Sequence, residues 1–223
     1  MSVDALSGGL VVSIQPPASS HLDKPERIAL MAEAAVACGA AGVRIAGPPA
    51  IAATRARIAA PIVGIAKREI EGFELYITPS IEDVEQVLGA GATIVATDAT
   101  NRPRPDGSSL EDAVRLIHQR GALAMADCAT LDDARSAVTA GADICATTLC
   151  GYTEATRGTP LPAFGLVRDI VALGVFTVCE GGISTPADVR RAFGSGANAI
   201  VVGAALDFER LVHRFVEATP ARE

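Results

Sequence analysis

The sequence has no run of lysine or arginine long enough to follow a nucleic-acid backbone, and its 19 basic residues face 26 acidic ones for a formal net charge of −7. Backbone binding depends on clustered cations, so no nucleic-acid partner is expected. Long apolar runs are missing too. A stretch such as "NAIVVGAAL" is about half of what a membrane-crossing helix needs, so no membrane partner is expected. The opening "MSVDALSGG" carries neither the basic nor the apolar part of a secretory leader, and the chain reads as cytoplasmic. Its three histidines, His21, His118 and His213, lie far apart, and none of its five cysteines, Cys38, Cys128, Cys145, Cys150 and Cys179, is spaced as CxxC. No bound metal is therefore expected. Most of those cysteines fall in apolar runs, where a free thiol acts as a small hydrophobe, which suits a reducing compartment.

What is present is a rhythm. An apolar fraction of 49% over 223 residues supports a sizeable core. Four segments share one pattern: "ACGAAGVRI", "GAGATIVATD", "TAGADICATT" and "GSGANAIVVG". Each reads as a helix stopped by a glycine, Gly39, Gly91, Gly141 or Gly196, followed by a short β-rich run. The four glycines recur about every fifty residues, which is room for two strands and two helices per repeat. Four further apolar runs, "LVVSIQ", "IVGIAK", "LAMADC" and "FTVCEGG", lie between them. Helical patterns over 24–38, 48–58, 80–89, 109–120, 131–140, 162–173, 186–194 and 207–217 connect the strands, several with start signals such as "TLDDARSAV" and "STPADVRRAF". Continuously apolar strands belong to parallel sheets covered on both faces. Eight βα units in one domain spanning 1–223 predict an α/β fold of the (β/α)₈ barrel type. An open dinucleotide-binding sheet would call for a GxGxxG turn after the first strand, where this chain has "SIQPPA".

In such a barrel the chemistry gathers at the C-terminal ends of the strands. The ends of the eight runs are Gln15, Arg44, Lys67, Asp98, Asp127, Thr148, Glu180 and Gly203, seven of them polar behind apolar residues. Period-two alternation puts Ile65 with Lys67, and Val178 with Glu180, on one face, so both charges are expected to point over the barrel mouth. Two readings stand: a structural ion pair of Lys67 with Glu180 or Asp127, or a functional rim. The turns after strands seven and eight, with Gly181, Gly182, Gly203 and Ala204, are candidate phosphate donors through their backbone N–H groups.

With these residues in view, the chain resembles the N-acetylmannosamine-6-phosphate 2-epimerases. The similarity runs through "GGLVVSIQ", "GVRI", "PIVGIAKREI", "YITPS", "VATDATNRPRPDG", "MADCATLDDA", "GADICATTLCGYT" and "EGGISTPADVRRAFGSGANAIVVGAAL". The resemblance implies a cofactor-free inversion at C2 of a 2-acetamido sugar 6-phosphate, in sialic acid breakdown. It implies an acid/base lysine at Lys67, a catalytic carboxylate at Glu180, and substrate contacts at Gln15, Arg44 and Asp127. Two departures stand out. A basic residue often follows Glu-Gly in that family, where this chain has Gly182, so the phosphate charge falls to backbone amides or another arginine. Pro16 and Pro17 also stiffen the loop after Gln15. Removing a proton α to a carbonyl needs one group to take it and another to return one, and neither metal nor nicotinamide. Crowding by Arg44 is expected to lower the Lys67 pKa, with Glu180 opposing. A Schiff-base aldolase built on Lys67 and a non-catalytic sugar-phosphate sensor are the alternatives. The apolar C-terminal helix around Leu206, Phe208, Leu211 and Phe215 either packs on its own barrel or serves a homodimer.

Overall fold

The computed structural model describes residues 2–219. Eight parallel strands close into a barrel in chain order. They are β1 (Leu10–Ile14), β2 (Gly42–Ala46), β3 (Ile62–Ile65), β4 (Ile94–Asp98), β5 (Leu123–Asp127), β6 (Ile144–Ala146), β7 (Phe176–Glu180) and β8 (Ala199–Val202). Each is followed by a helix: α1 (Pro25–Ala37), α2 (Pro48–Arg55), α3 (Ile81–Gly89), α4 (Leu110–Gln119), α5 (Leu131–Thr139), α6 (Phe164–Val171), α7 (Pro186–Gly194) and α8 (Phe208–Glu217). The fold class expected from the pattern is the one observed. The four repeat glycines all adopt positive φ, between 87° and 98°, and so end their helices where the sequence says. Both quoted start signals are capping boxes, Thr130 with Asp133 and Thr185 with Asp188.

Alternate residues of the strands build two layers of core. Val11, Val63, Ile65, Ile94, Met125, Ile144, Val178 and Val201 fill the barrel interior, joined by Leu6 from the N-terminal turn. Val43, Ile45, Ile62, Val95, Ala124 and Cys145 face outward against helix residues such as Ile28, Ile51, Val87 and Ile117. Continuing the inward set by steps of two reaches Gln15, Lys67, Asp98, Asp127, Thr148, Glu180 and Gly203. The rim of strand-end residues is therefore the last layer of the same interior.

Three features differ from the pattern. Arg44 lies in the middle of β2, which runs on to Ala46, so the arginine sits deeper than the rim. Between β3 and β4, direct pairing is limited to Val63 with Ile94 and Gly64 with Val95. Above that point residues 76–78 are wedged in: Ile77 bridges Lys67 in antiparallel sense, and the Asp98 N–H donates to the Ile77 carbonyl at 3.1 Å. Finally, α8 buries none of its residues, whereas α1 to α7 each bury at least one. It does not pack its apolar face on its own barrel. Among the described residues no helix is long and apolar enough to cross a membrane.

Candidate active site

Arg44 organises the barrel mouth. With strands in order around a closed barrel, β2 stands opposite β6, and β5 and β7 flank β6. A long side chain from mid-β2 can therefore cross the interior and meet both far strands. The Arg44 guanidinium grips Asp127 with two hydrogen bonds, 2.6 and 3.1 Å, and gives a third to Glu180 Oε2 at 2.9 Å. Arg44 is 1% exposed and Asp127 not at all. Burial works against the Arg44 charge, but the two carboxylates outweigh it and hold the group firmly protonated. The Thr148 hydroxyl reaches both Asp127 Oδ1 at 2.7 Å and Glu180 Oε2 at 3.1 Å, and its one proton is shared between them. Thr147 fixes the Glu180 backbone from below, donating to its carbonyl at 2.8 Å and accepting from its N–H at 3.1 Å.

Lys67 stands on the rim two residues beyond β3, in the same cavity as Arg44 and Glu180. It makes no ion pair among the described residues, because Arg44 has taken both carboxylates. The structural ion-pair reading of Lys67 is thereby set aside. The walls strip water from its ammonium and Arg44 repels it, so its pKa is lowered, with Glu180 and Asp127 opposing. Glu180 moves the other way. Burial pushes its carboxyl up to about 7, against the pull of Arg44. A carboxylic acid raised and an amine lowered toward a common range is the arrangement that acid–base catalysis requires.

Gln15 lines the same cavity and donates through Nε2 to Ser13 Oγ at 2.7 Å. Its Oε1 and Arg44 Nε are buried without a partner among the described residues, which leaves two polar atoms in this region for a ligand to satisfy. The N–H groups of Gly181, Gly182, Gly203 and Ala204 also donate to no acceptor among the described residues. Gly182 has a second reason to be glycine. At φ +74° an added Cβ would lie 2.5 Å from Leu161 Cβ, so no side chain fits there. All the candidates thus converge on one mouth; Asp127 alone lies beneath its surface, behind Arg44. The cavity, about 1710 Å³, extends outward along a groove between α1 and α8.

Sequence reasoning missed Tyr76, which lines the mouth, and the work of the arginines in "DATNRPRPDG". Arg102 holds Asp98 at 2.7 Å. Arg104 donates to the carbonyls of Thr78, Pro79 and Asp98 and to Thr97 Oγ1. The alternation of arginine with proline was the available signal, but it does not say which carbonyls are met.

Fold and mouth together define a (β/α)₈ barrel equipped for acid–base chemistry beside backbone donors that are free among the described residues. The chain belongs to the family described as "Putative N-acetylmannosamine-6-phosphate epimerase", whose model matches residues 28–221. It is 46% identical over 200 residues to a putative N-acetylmannosamine-6-phosphate 2-epimerase of Thermosynechococcus vestitus, covering 89% of this chain and 87% of that protein. A protein of the same description from Escherichia coli O9:H4 is 45% identical over 210 residues, covering 94% and 89%. Among solved structures, the N-acetylmannosamine-6-phosphate 2-epimerase of Clostridium perfringens superposes with a TM-score of 0.92 at 35% identity, covering 97% of this chain and 95% of that one. A thiamine phosphate pyrophosphorylase of Pyrococcus furiosus, with a TM-score of 0.59 at 17% identity, shares the fold.

Proposed function

We propose that this chain inverts C2 of an N-acyl-mannosamine 6-phosphate to the glucosamine epimer, with Lys67 and Glu180 as the proton-transfer pair. The observation that carries the reading is Glu180, pushed up to about 7 by burial, sharing one cavity with an unpaired lysine of lowered pKa. In the open-chain sugar the C1 carbonyl acidifies the C2 proton. One member of the pair takes that proton, and the other delivers one to the opposite face. Arg44, through Nε, and Gln15, through Oε1, meet the acetamido and hydroxyl groups, Asp127 acts from beneath by fixing Arg44, and the amides of Gly181, Gly182, Gly203 and Ala204 receive the phosphate. The pair works when it holds one proton in total. Activity therefore rises as pH passes the Glu180 pKa and falls as pH passes that of Lys67. Proton NMR of N-acetylmannosamine 6-phosphate with the enzyme in D₂O should show the second epimer and deuterium at C2. Absence of both would defeat the reading. Borohydride trapping of a covalent adduct on Lys67 would favour the aldolase alternative.

A homodimer through α8 fits the same molecule. Phe208, Leu211, Val212, Phe215 and Val216 are all exposed, Phe215 by 71%. Of α8, Phe208 with the polar Arg210, His213 and Arg214 lines the groove bordered by Met31, Ala34 and Ala35 of α1 and by Leu10 and Val12 of β1, while Leu211, Val212, Phe215 and Val216 do not. An apolar helix face and an apolar groove, each lacking its counterpart, satisfy one another reciprocally when two copies meet about a twofold axis. Light scattering should give twice the monomer mass, and Phe215→Asp should give a monomer. A monomeric wild-type chain would refute this arrangement.

A further inference from the structure

The segment wedged between β3 and β4 is costly to build. Thr78 has φ +45°, the one non-glycine residue with positive φ among those described, and its branched side chain is fully buried. It is held from every side. Its N–H donates to the Ala66 carbonyl, its hydroxyl donates to the Ala96 carbonyl at 2.7 Å and accepts from the Ala66 N–H at 3.2 Å, and its own carbonyl accepts from Thr97 Oγ1 at 3.0 Å. Strain held this firmly at the edge of a site raises the question of what it positions.

What it positions is Tyr76. The Arg68 N–H donates to the Tyr76 carbonyl at 3.0 Å, and the next residue, Ile77, bridges Lys67. The ring packs against the top of the barrel interior and lines the cavity, and the phenol hydroxyl makes no hydrogen bond among the described residues. Burial, then the fields of Asp127 and Asp98, push its pKa up, so the group stays a neutral donor. Most other side-chain donors of the mouth are committed, apart from Lys67, which belongs to the proton-transfer pair, and Arg44 Nε. Both terminal nitrogens of Arg44 hold carboxylates, Thr148 shares its proton between Asp127 and Glu180, and Gln15 Nε2 holds Ser13. The chain's other tyrosine, Tyr152, stands farther out, 60% exposed.

Resting on the epimerase reading, we propose that the Tyr76 hydroxyl donates a hydrogen bond to the substrate C1 oxygen as that oxygen gains negative charge. When the C2–H bond breaks, its proton goes to one member of the Lys67–Glu180 pair. The bonding electrons become the C1=C2 double bond, and the carbonyl π electrons move onto O1. The Tyr76 O–H bond stays intact throughout. The carbonyl then reforms as the other member supplies a proton to the opposite face of C2. A donor placed in advance where charge develops acts on the barrier more than on ground-state binding.

The test is Tyr76→Phe, which keeps the ring and leaves the backbone clamp at Thr78 untouched. A fall in kcat of about 10²- to 10³-fold is expected, with KM changed by less than about threefold and C2 deuterium exchange reduced in step with kcat. An unchanged melting temperature would establish that the fold is retained. If the wild-type enzyme turns over and Tyr76→Phe matches its kcat, this proposal fails alone. A raised KM at unchanged kcat overturns it too, by assigning Tyr76 to binding. A wild-type enzyme that neither epimerises nor exchanges would take down the epimerase reading and this proposal together.

Discussion

Asp98 and Asp127 are neighbours on adjoining strands, paired in register at the ends of β4 and β5. Each is fully buried, and each is held by an arginine, Arg102 at 2.7 Å and Arg44 at 2.6 Å. Their settings differ in what is left over. Asp98 also accepts from the Thr100 N–H and hydroxyl, and Arg102 gives Nε to Thr100 and Nη1 to Glu74, so this pair closes on the loops around it. Asp127 anchors an arginine that reaches on to Glu180 and keeps Nε free. Burial and pairing are common to both. Unspent hydrogen-bonding capacity facing a cavity marks the Asp127 side as the one proposed to serve chemistry.

The largest expected effect separates Lys67 from both pairs. Lys67→Ala removes a group at the rim of the mouth that makes no ion pair among the described residues, so the fold should be kept while C2 exchange in D₂O drops by about 10²- to 10⁴-fold. Near-normal exchange would remove Lys67 from the proton-transfer pair. Next, Asp127→Asn leaves a buried arginine short of a charge and should lower stability by about 3 kcal/mol or more in urea unfolding. Its field now raises the pKa values of both Glu180 and Lys67, so both limbs of the kcat/KM profile should move to lower pH in this variant. Asp98→Asn should also cost stability, about 2–3 kcal/mol, yet leave kcat per folded molecule within about threefold. Equal losses of kcat in Asp98→Asn and Asp127→Asn would erase the distinction.

The same contrast explains what the sequence disclosed. Rim residues such as Lys67 and Glu180 could be read because a strand alternates with period two, and the inward parity set by Ile65 and Val178 carries through to them. Helix ends could be read from single residues, Gly141 or Thr185, whose role depends on local backbone alone. The wedge at 76–78 could not. Nothing near Thr78 announces a left-handed threonine, because the bonds that hold it come from Ala66, Ala96, Thr97 and Arg104, brought there by the barrel itself. The α8 pattern was visible but ambiguous, since an apolar face at Phe208, Leu211 and Phe215 looks the same whether it covers its own barrel or another copy's.

The smallest expected effect probes the hydroxyl that joins the Glu180 carboxyl to its buried neighbour. Thr148 favours the ionised form of Glu180 by donating to Oε2, and so works against the upward push of burial. Thr148→Val keeps the shape of the side chain and removes the donor. The protonated form of Glu180 then gains relative to the carboxylate, and its pKa rises further above the usual carboxylate range. Below that pKa the pair carries one proton too many, so the acidic limb of kcat/KM should move to higher pH. On the proposed assignment the alkaline limb belongs to Lys67, whose pKa is shifted by the water-stripping walls, Arg44, Glu180 and Asp127, so the loss of a neutral hydroxyl should leave that limb in place. Asp98, with no link to Thr148, offers no such handle: a shift of one limb alone is expected only on the Asp127 side of the mouth. An acidic limb that stayed fixed in Thr148→Val would mean that a group other than Glu180 titrates there.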